Sequence, residues 1–71
     1  MNCLAYALRF WENHPEYVLW YNSGHVINAP LHFENNVYLR AEDFGYDYFK
    51  GAFAGLLDGY EEELLDRYFK R

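Results

Sequence analysis

A single cysteine, Cys3, stands in a chain of 71 residues. That fact removes most of the ways in which a chain of this size is held together. A domain of about 60 residues buries only roughly 60% of the surface its unfolded chain exposes, and small folds usually add disulfides or a structural metal. One cysteine excludes an internal disulfide and a zinc site built from four cysteines. Apolar packing, a partner or self-association must therefore supply the stability. Composition points to packing. The chain is 52% hydrophobic and 23% aromatic, with eight Tyr, six Phe and two Trp, and each ring is a large unit of buried area. Such content argues against disorder and low complexity, and the length admits one domain over residues 1–71.

Charge narrows the partners. Eleven acids face six bases, a net charge of −5. Binding to nucleic-acid phosphates needs a cationic surface, so no direct nucleic-acid contact is expected. No run approaches the roughly 20 apolar residues of a membrane-spanning helix, so no membrane partner is expected. Met1-Asn2-Cys3 lacks a basic n-region, so no secretory signal is expected. With one unpaired cysteine, this favours a reducing, cytoplasmic location.

The periodicities give an α+β order. Leu4, Leu8 and Trp11, with Cys3, Ala7 and Phe10 beside them, repeat at helical spacing over residues 2–13. Asn2 is the candidate N-cap, and Asn13-His14-Pro15 ends the helix. Residues 16–22 are β-branched and aromatic, Asn22-Ser23-Gly24 is a turn signal, and His25–Asn28 reads as a return strand. Leu31–Glu34 and Val37–Arg40, joined by Asn35-Asn36, read as a second hairpin. A three-stranded antiparallel meander results. From Ala41 the helical period returns, with Phe49, Phe53, Leu56, Leu57, Tyr60, Leu64 and Tyr68 on one face. Asp58-Gly59 leaves open whether this is one long helix or two short ones. The expected fold is an N-terminal helix, a three-stranded antiparallel sheet and one or two C-terminal helices.

Three constellations carry the functional reading. Glu34 to Asp66 holds nine acids against two bases. On a continuous helix Asp58, Glu62 and Asp66 form an i, i+4, i+8 stripe, with like charges that cost a few tenths of a kcal/mol per pair. A chain that tolerates this cost is expected to use the stripe against a basic groove, with Glu61, Glu63, Glu42, Asp43 and Asp47 completing the surface. The alternative is a solvated helix stabilised by Glu63–Arg67 and Asp66–Lys70. Tyr46, Tyr48, Tyr60 and Tyr68 lie among these acids, and tyrosine is enriched at protein interfaces.

The second constellation is Cys3, placed where a helix dipole favours a thiolate, with His25 opening a strand. Asn2-Cys3-Leu4-Ala5-Tyr6-Ala7-Leu8 and Gly24-His25-Val26 resemble the two signature pieces of papain-like cysteine hydrolases of the cell-wall-peptidase kind. The resemblance implies Cys3 as nucleophile, His25 as base, and His32, Asn28 or Asn36 as the polar group that orients it. The run Asn2-Cys3-Leu4-x-Tyr6-Ala7-Leu8-x-x-Trp11 is also similar to the start of small bacteriophage proteins. That resemblance implies a phage or mobile-element origin and brings no chemistry with it.

The third is His14, His25 and His32, whose spacings of 11 and 7 residues match no compact ligand pair. No metal and no cofactor are expected. Gly51, Gly55 and Gly59 recur every four residues, which on one helix would make a smooth strip for a homodimer. The leading expectation is a small acidic inhibitor of phage anti-defence type. It would present Asp58, Tyr60, Glu61, Glu62 and Asp66, joined by Glu42, Asp43 and Asp47, to the basic, nucleic-acid-handling face of a larger host or defence protein. The alternative is the Cys3–His25 hydrolase.

Overall fold

A computed structural model describes residues 2–71. Helix α1 (Cys3–Asn13) leads into strands β1 (Tyr17–Asn22) and β2 (His25–Pro30), then a two-residue β3 (Leu39–Arg40). A single 3-10 turn (Ala41–Asp43) precedes helices α2 (Tyr46–Ala52) and α3 (Gly59–Lys70). The fold is α+β with a three-stranded antiparallel sheet, as the periodicities indicate. No described helix is long and apolar enough to cross a membrane.

Asn2 caps α1 as its sequence position suggests. Its side-chain oxygen accepts from Ala5 N at 3.1 Å, while its amide donates to Leu56 O. The β1–β2 hairpin closes through Ser23-Gly24, both at positive φ (47° and 84°). This is the primed turn that matches strand twist, and glycine adopts its second position without strain.

The sheet order is β2-β1-β3, so the second hairpin does not form. The chain leaves β2 at Pro30, crosses β1, and pairs Leu39 with Tyr21 and Arg40 with Trp20 on the far side. The reasons are local. Asn35 Oδ1 accepts the backbone N–H groups of Val37 and Tyr38, and side-chain bonds of this kind compete with a strand ladder. Leu31 and Val37 stay exposed at 59% each, so no buried face repays strand formation. The crossing segment instead sets Phe33 edge-on to Trp20, with ring centroids 5.3 Å apart. This covers the face of β1 that points away from the helices.

The helical side holds the core. Leu4 and Leu8 of α1, Leu19 of β1, Phe49 of α2, and Leu64, Leu65 and Tyr68 of α3 are fully buried. Each such apolar side chain contributes roughly 1.5–3 kcal/mol by burial. Tyr21 takes Phe44, Phe49 and Phe53 edge-to-face at 4.8, 5.0 and 6.4 Å, an arrangement worth about 1 kcal/mol per pair beyond area.

The C-terminal half is two helices, and the break is longer than Asp58-Gly59. Residues 53–58 turn through Gly55 at φ 80°, a backbone region that glycine occupies freely. Leu56, expected on the buried face, is 51% exposed. The turn also ends the glycine strip, because Gly51, Gly55 and Gly59 fall on α2, the turn and α3 in succession.

Candidate functional site

Asp58 lies outside α3 as its N-cap. Its carboxylate accepts from Glu61 N at 2.8 Å, and the Glu61 side chain accepts from Asp58 N at 3.0 Å, completing a capping box. The helical stripe therefore reduces to Glu62 and Asp66. The same two carboxylates also hold Arg9 of α1, from Glu61 at 2.8 Å and from Asp58 at 3.2 Å. The hydrogen bond from Glu61 is the main reason the Arg9 guanidinium is held above its ordinary value. Tyr60 is engaged as well: Arg9 sits 5.0 Å from its ring centre, and its hydroxyl donates to Glu12. That bond raises the Tyr60 phenol.

Glu42 is likewise turned into the fold. It accepts from Arg40 and Arg71, both at 2.6 Å, and from the Tyr68 hydroxyl at 3.1 Å. Burial by itself works to raise the carboxyl. The hydrogen bonds from Arg40 and Arg71 outweigh it and hold Glu42 below its ordinary value. Asp66 pairs with Lys70 at 3.1 Å, as the i, i+4 spacing indicates. Glu63 does not pair with Arg67, whose guanidinium turns to Glu12 of α1 at 3.8 Å. The contact between α1 and α3 offers a carboxylate that a single-helix reading does not contain.

Among the described residues, Arg9, Arg40, Arg67, Lys70 and Arg71 pair with Glu12, Glu42, Asp58, Glu61 and Asp66. These groups balance one another. Lys50 rests 5.6 Å from the Tyr46 ring centre instead. Glu16, Glu34, Asp43, Asp47, Glu62 and Glu63 are exposed and lack an ion-pair partner among the described residues. Less Lys50, they carry the whole net charge of −5. Of the expected binding residues, Asp43, Asp47 and Glu62 belong to this free set. Asp58, Tyr60, Glu61, Asp66 and Glu42 are tied into the fold.

Cys3 is half-buried in the first turn of α1, and its thiol donates to Gly24 O at 3.5 Å. This brings Cys3 next to the β1–β2 turn, one residue from His25, through a hydrogen bond to a backbone carbonyl rather than to an imidazole. The exposed His25 ring faces Tyr38 at 6.4 Å. Asn28, a candidate orienting group, donates to Ala7 O at 3.0 Å and ties β2 to α1. The other two candidates, His32 and Asn36, are exposed in the crossing segment. Among the described residues no three His, Cys, Asp or Glu side chains cluster as metal ligands.

Sequence reasoning missed one surface feature. Tyr6, Phe10, Tyr17, Ile27 and Asn28 line an open depression of about 390 Å³ between α1 and β2. A neighbouring one of about 270 Å³ is lined by Tyr6, Arg9, Phe10 and Asn13. Tyr6 is 76% exposed. The signal was present in α1, where Tyr6 and Phe10 lie one turn apart on the flank of the buried Leu4–Leu8 face.

No protein-family model, curated protein or solved structure matches the chain.

Proposed function

We propose that this chain is a small acidic binding protein that docks on the basic surface of a larger, nucleic-acid-handling protein and blocks it, in the manner of a phage anti-defence inhibitor. The observation that carries the reading is the segregation of charge. Five cations are neutralised by intramolecular ion pairs, and the net charge is left on exposed carboxylates without an ion-pair partner among the described residues. Free carboxylates keep their full attraction for a cationic partner, whereas those already paired must first break an internal contact. The docking residues are accordingly Glu62, Asp43 and Asp47, joined by Glu63. Tyr48, 43% exposed on α2 beside Asp47 and held in place by its hydroxyl on Tyr21, serves as the aromatic anchor. Long-range attraction speeds encounter, and the anchor supplies affinity.

The test is association with candidate basic proteins, followed by calorimetry over a salt series. Reversing Glu62 and Asp47 to Lys together is expected to abolish binding while circular dichroism stays that of the folded protein and melting falls only slightly, because each acid lies in the first turn of a helix but has no ion-pair partner among the described residues. Reversing Asp66 is expected to act less, since it also removes the Lys70 pair. Unchanged affinity in the Glu62/Asp47 double variant overturns the reading.

A further inference from the structure

We infer that the free edge of β2 is the interface of a reversible two-fold dimer, in which it pairs antiparallel with β2 of a second copy of this chain. The two edges of the sheet are unequal. One is β3, two residues long, and so short an edge strand gives another chain little to pair with. The other is β2, six residues in unbroken register with β1, without a lysine, a carboxylate or a bulge. Those are the devices that keep edges apart. Only Pro30, at the end of the strand, limits pairing.

The register of the hairpin fixes which groups face outward. Leu19 N–H points away from β2, to the Tyr68 hydroxyl at 2.9 Å. Its partner Asn28, and Val26 two residues earlier, therefore turn their N–H and C=O groups away from β1. No backbone group outside the sheet bonds them among the described residues. A two-fold axis through Ile27 sets Val26 of each copy opposite Asn28 of the other. All four outward N–H groups then meet all four outward C=O groups. An axis through Asn28 would instead set Val26 C=O against Pro30, which has no N–H. An axis through Val26 would set Asn28 against Gly24, which lies in the turn at positive φ. The strand thus fits itself in one register.

The flank and the charge suit a second copy. The side chains of Val26 and Asn28 point to α1: Asn28 donates to Ala7 O, and Val26, 4% exposed, joins the core. The incoming strand takes the depression beside Ile27 and Asn28, which Tyr6 and Phe10 of α1 also line. The axis stands normal to the sheet, so the α1 helices of both copies lie on the same side and bring their Tyr6 flanks together. No carboxylate lies on β2 or lines either depression, and Asp58 and Glu61 already hold the Arg9 charge. Two chains of net charge −5 meet here without opposing their free acids, as they would across the Glu62 and Glu63 face of α3. Area sets the strength. A short strand with rings of about 150–250 Å² each reaches only the lower end of stable interfaces, about 1,000 Å², so the dimer is reversible.

The test is sedimentation equilibrium of the whole chain up to about 1 mM, the range of the weakest specific association, with amide hydrogen exchange at low and high concentration. A monomer–dimer equilibrium is expected. The Val26 and Asn28 amides are expected to gain protection as concentration rises. The Ile27 amide, already bonded to β1, serves as the unchanged control. Ile27→Lys sets two cations against each other across the axis and is expected to abolish the dimer. Tyr6→Ala, at a position 76% exposed and so without effect on the fold, is expected to weaken it roughly tenfold. Three results overturn the inference: a monomer throughout, which leaves the edge to a foreign strand; a dimer whose Val26 and Asn28 amides exchange as fast as in dilute solution; or a dimer indifferent to both substitutions. The experiment contains no other protein, so its outcome is independent of the Glu62 and Asp47 surface that carries the proposed function.

Discussion

Helix α3 has an ionic cluster at each end, and the two differ in what they touch. At the N-terminal end Arg9 bridges Asp58 and Glu61, with Arg9 and Asp58 side chains about half exposed (49% and 58%). At the C-terminal end Arg40 and Arg71 converge on Glu42, whose side chain is 29% exposed and which also receives the Tyr68 hydroxyl. In the first, Glu61 is shielded at 12% exposed while Arg9 and Asp58 are open to water, and ion pairs with such open members contribute little. The second is anchored to a group with no exposure. Tyr68 is fully buried and its oxygen accepts the Leu19 N–H at 2.9 Å. That N–H lies just beyond the last β1–β3 pair, Trp20–Arg40. A strand of two residues leaves the donor without a ladder partner, and a helix hydroxyl replaces the missing carbonyl. The same residue types thus serve as a solvated clasp at one end and as part of the core at the other. Contact with the buried Tyr68 hydroxyl, rather than the number of ion pairs, separates them.

Substitutions at the two ends sharpen this contrast. Tyr68→Phe keeps the ring and removes the hydroxyl, stranding the buried Leu19 N–H. It is expected to cost about 2 kcal/mol in denaturant unfolding. It is also expected to remove a high-pH limb. Burial outweighs the opposing hydrogen bond from Leu19 N–H and pushes the Tyr68 phenol from 10.0 up to about 12. The unfolded state therefore ionises first, and stability present below pH 10 falls as pH rises towards 12. A wild-type stability profile flat through that range breaks the assignment.

Glu42→Gln is the next largest, about 1.5 kcal/mol at neutral pH, because two guanidinium groups lose their carboxylate. Its sign with pH is opposite to that of Tyr68. The Glu42 carboxyl is lowered in the folded protein, so its contribution is complete above the ordinary carboxyl value and is lost as pH falls through the folded one. The variant should lose this part of the acid limb. Asp58→Ala at the other end is expected to cost about 1 kcal/mol, the usual cost of an N-cap, and calorimetric melting will measure it. Arg9→Gln should give the smallest change, one that disappears in high salt. A melting shift as large as that of Glu42→Gln would mean that the solvated clasp is structural after all.

Cys3 provides a further check on the candidate site. A thiol that donates to Gly24 O is expected to react slowly with iodoacetamide. Fast alkylation well below the reference pKa of about 8.5 would restore the hydrolase reading.

Much of the fold was legible in the chain. Leu4, Leu8 and Trp11 wrote α1, Asn2 its cap, and Ser23-Gly24 the hairpin, because helical period, capping and turn chemistry act over three or four residues. The acidic cluster was equally visible, but not which of its members are free. Glu62 and Asp58 look alike in sequence, four residues apart. Only the packing of α1 on α3 brings Arg9 to Asp58 and leaves Glu62 without a partner among the described residues. The second hairpin failed for a related reason. Val37-Tyr38-Leu39-Arg40 has strand character, but its partner is settled by which edge of β1 remains open after β2 has paired. By itself, then, the sequence determined α1, the first hairpin and the α+β order, which rest on near neighbours, and the total charge, which is a sum over residues. The tertiary structure alone decided strand order, which charges cancel, and that Tyr6, Phe10 and Tyr17 share a groove. Each of these depends on side chains far apart in the chain, whose meeting no local pattern encodes.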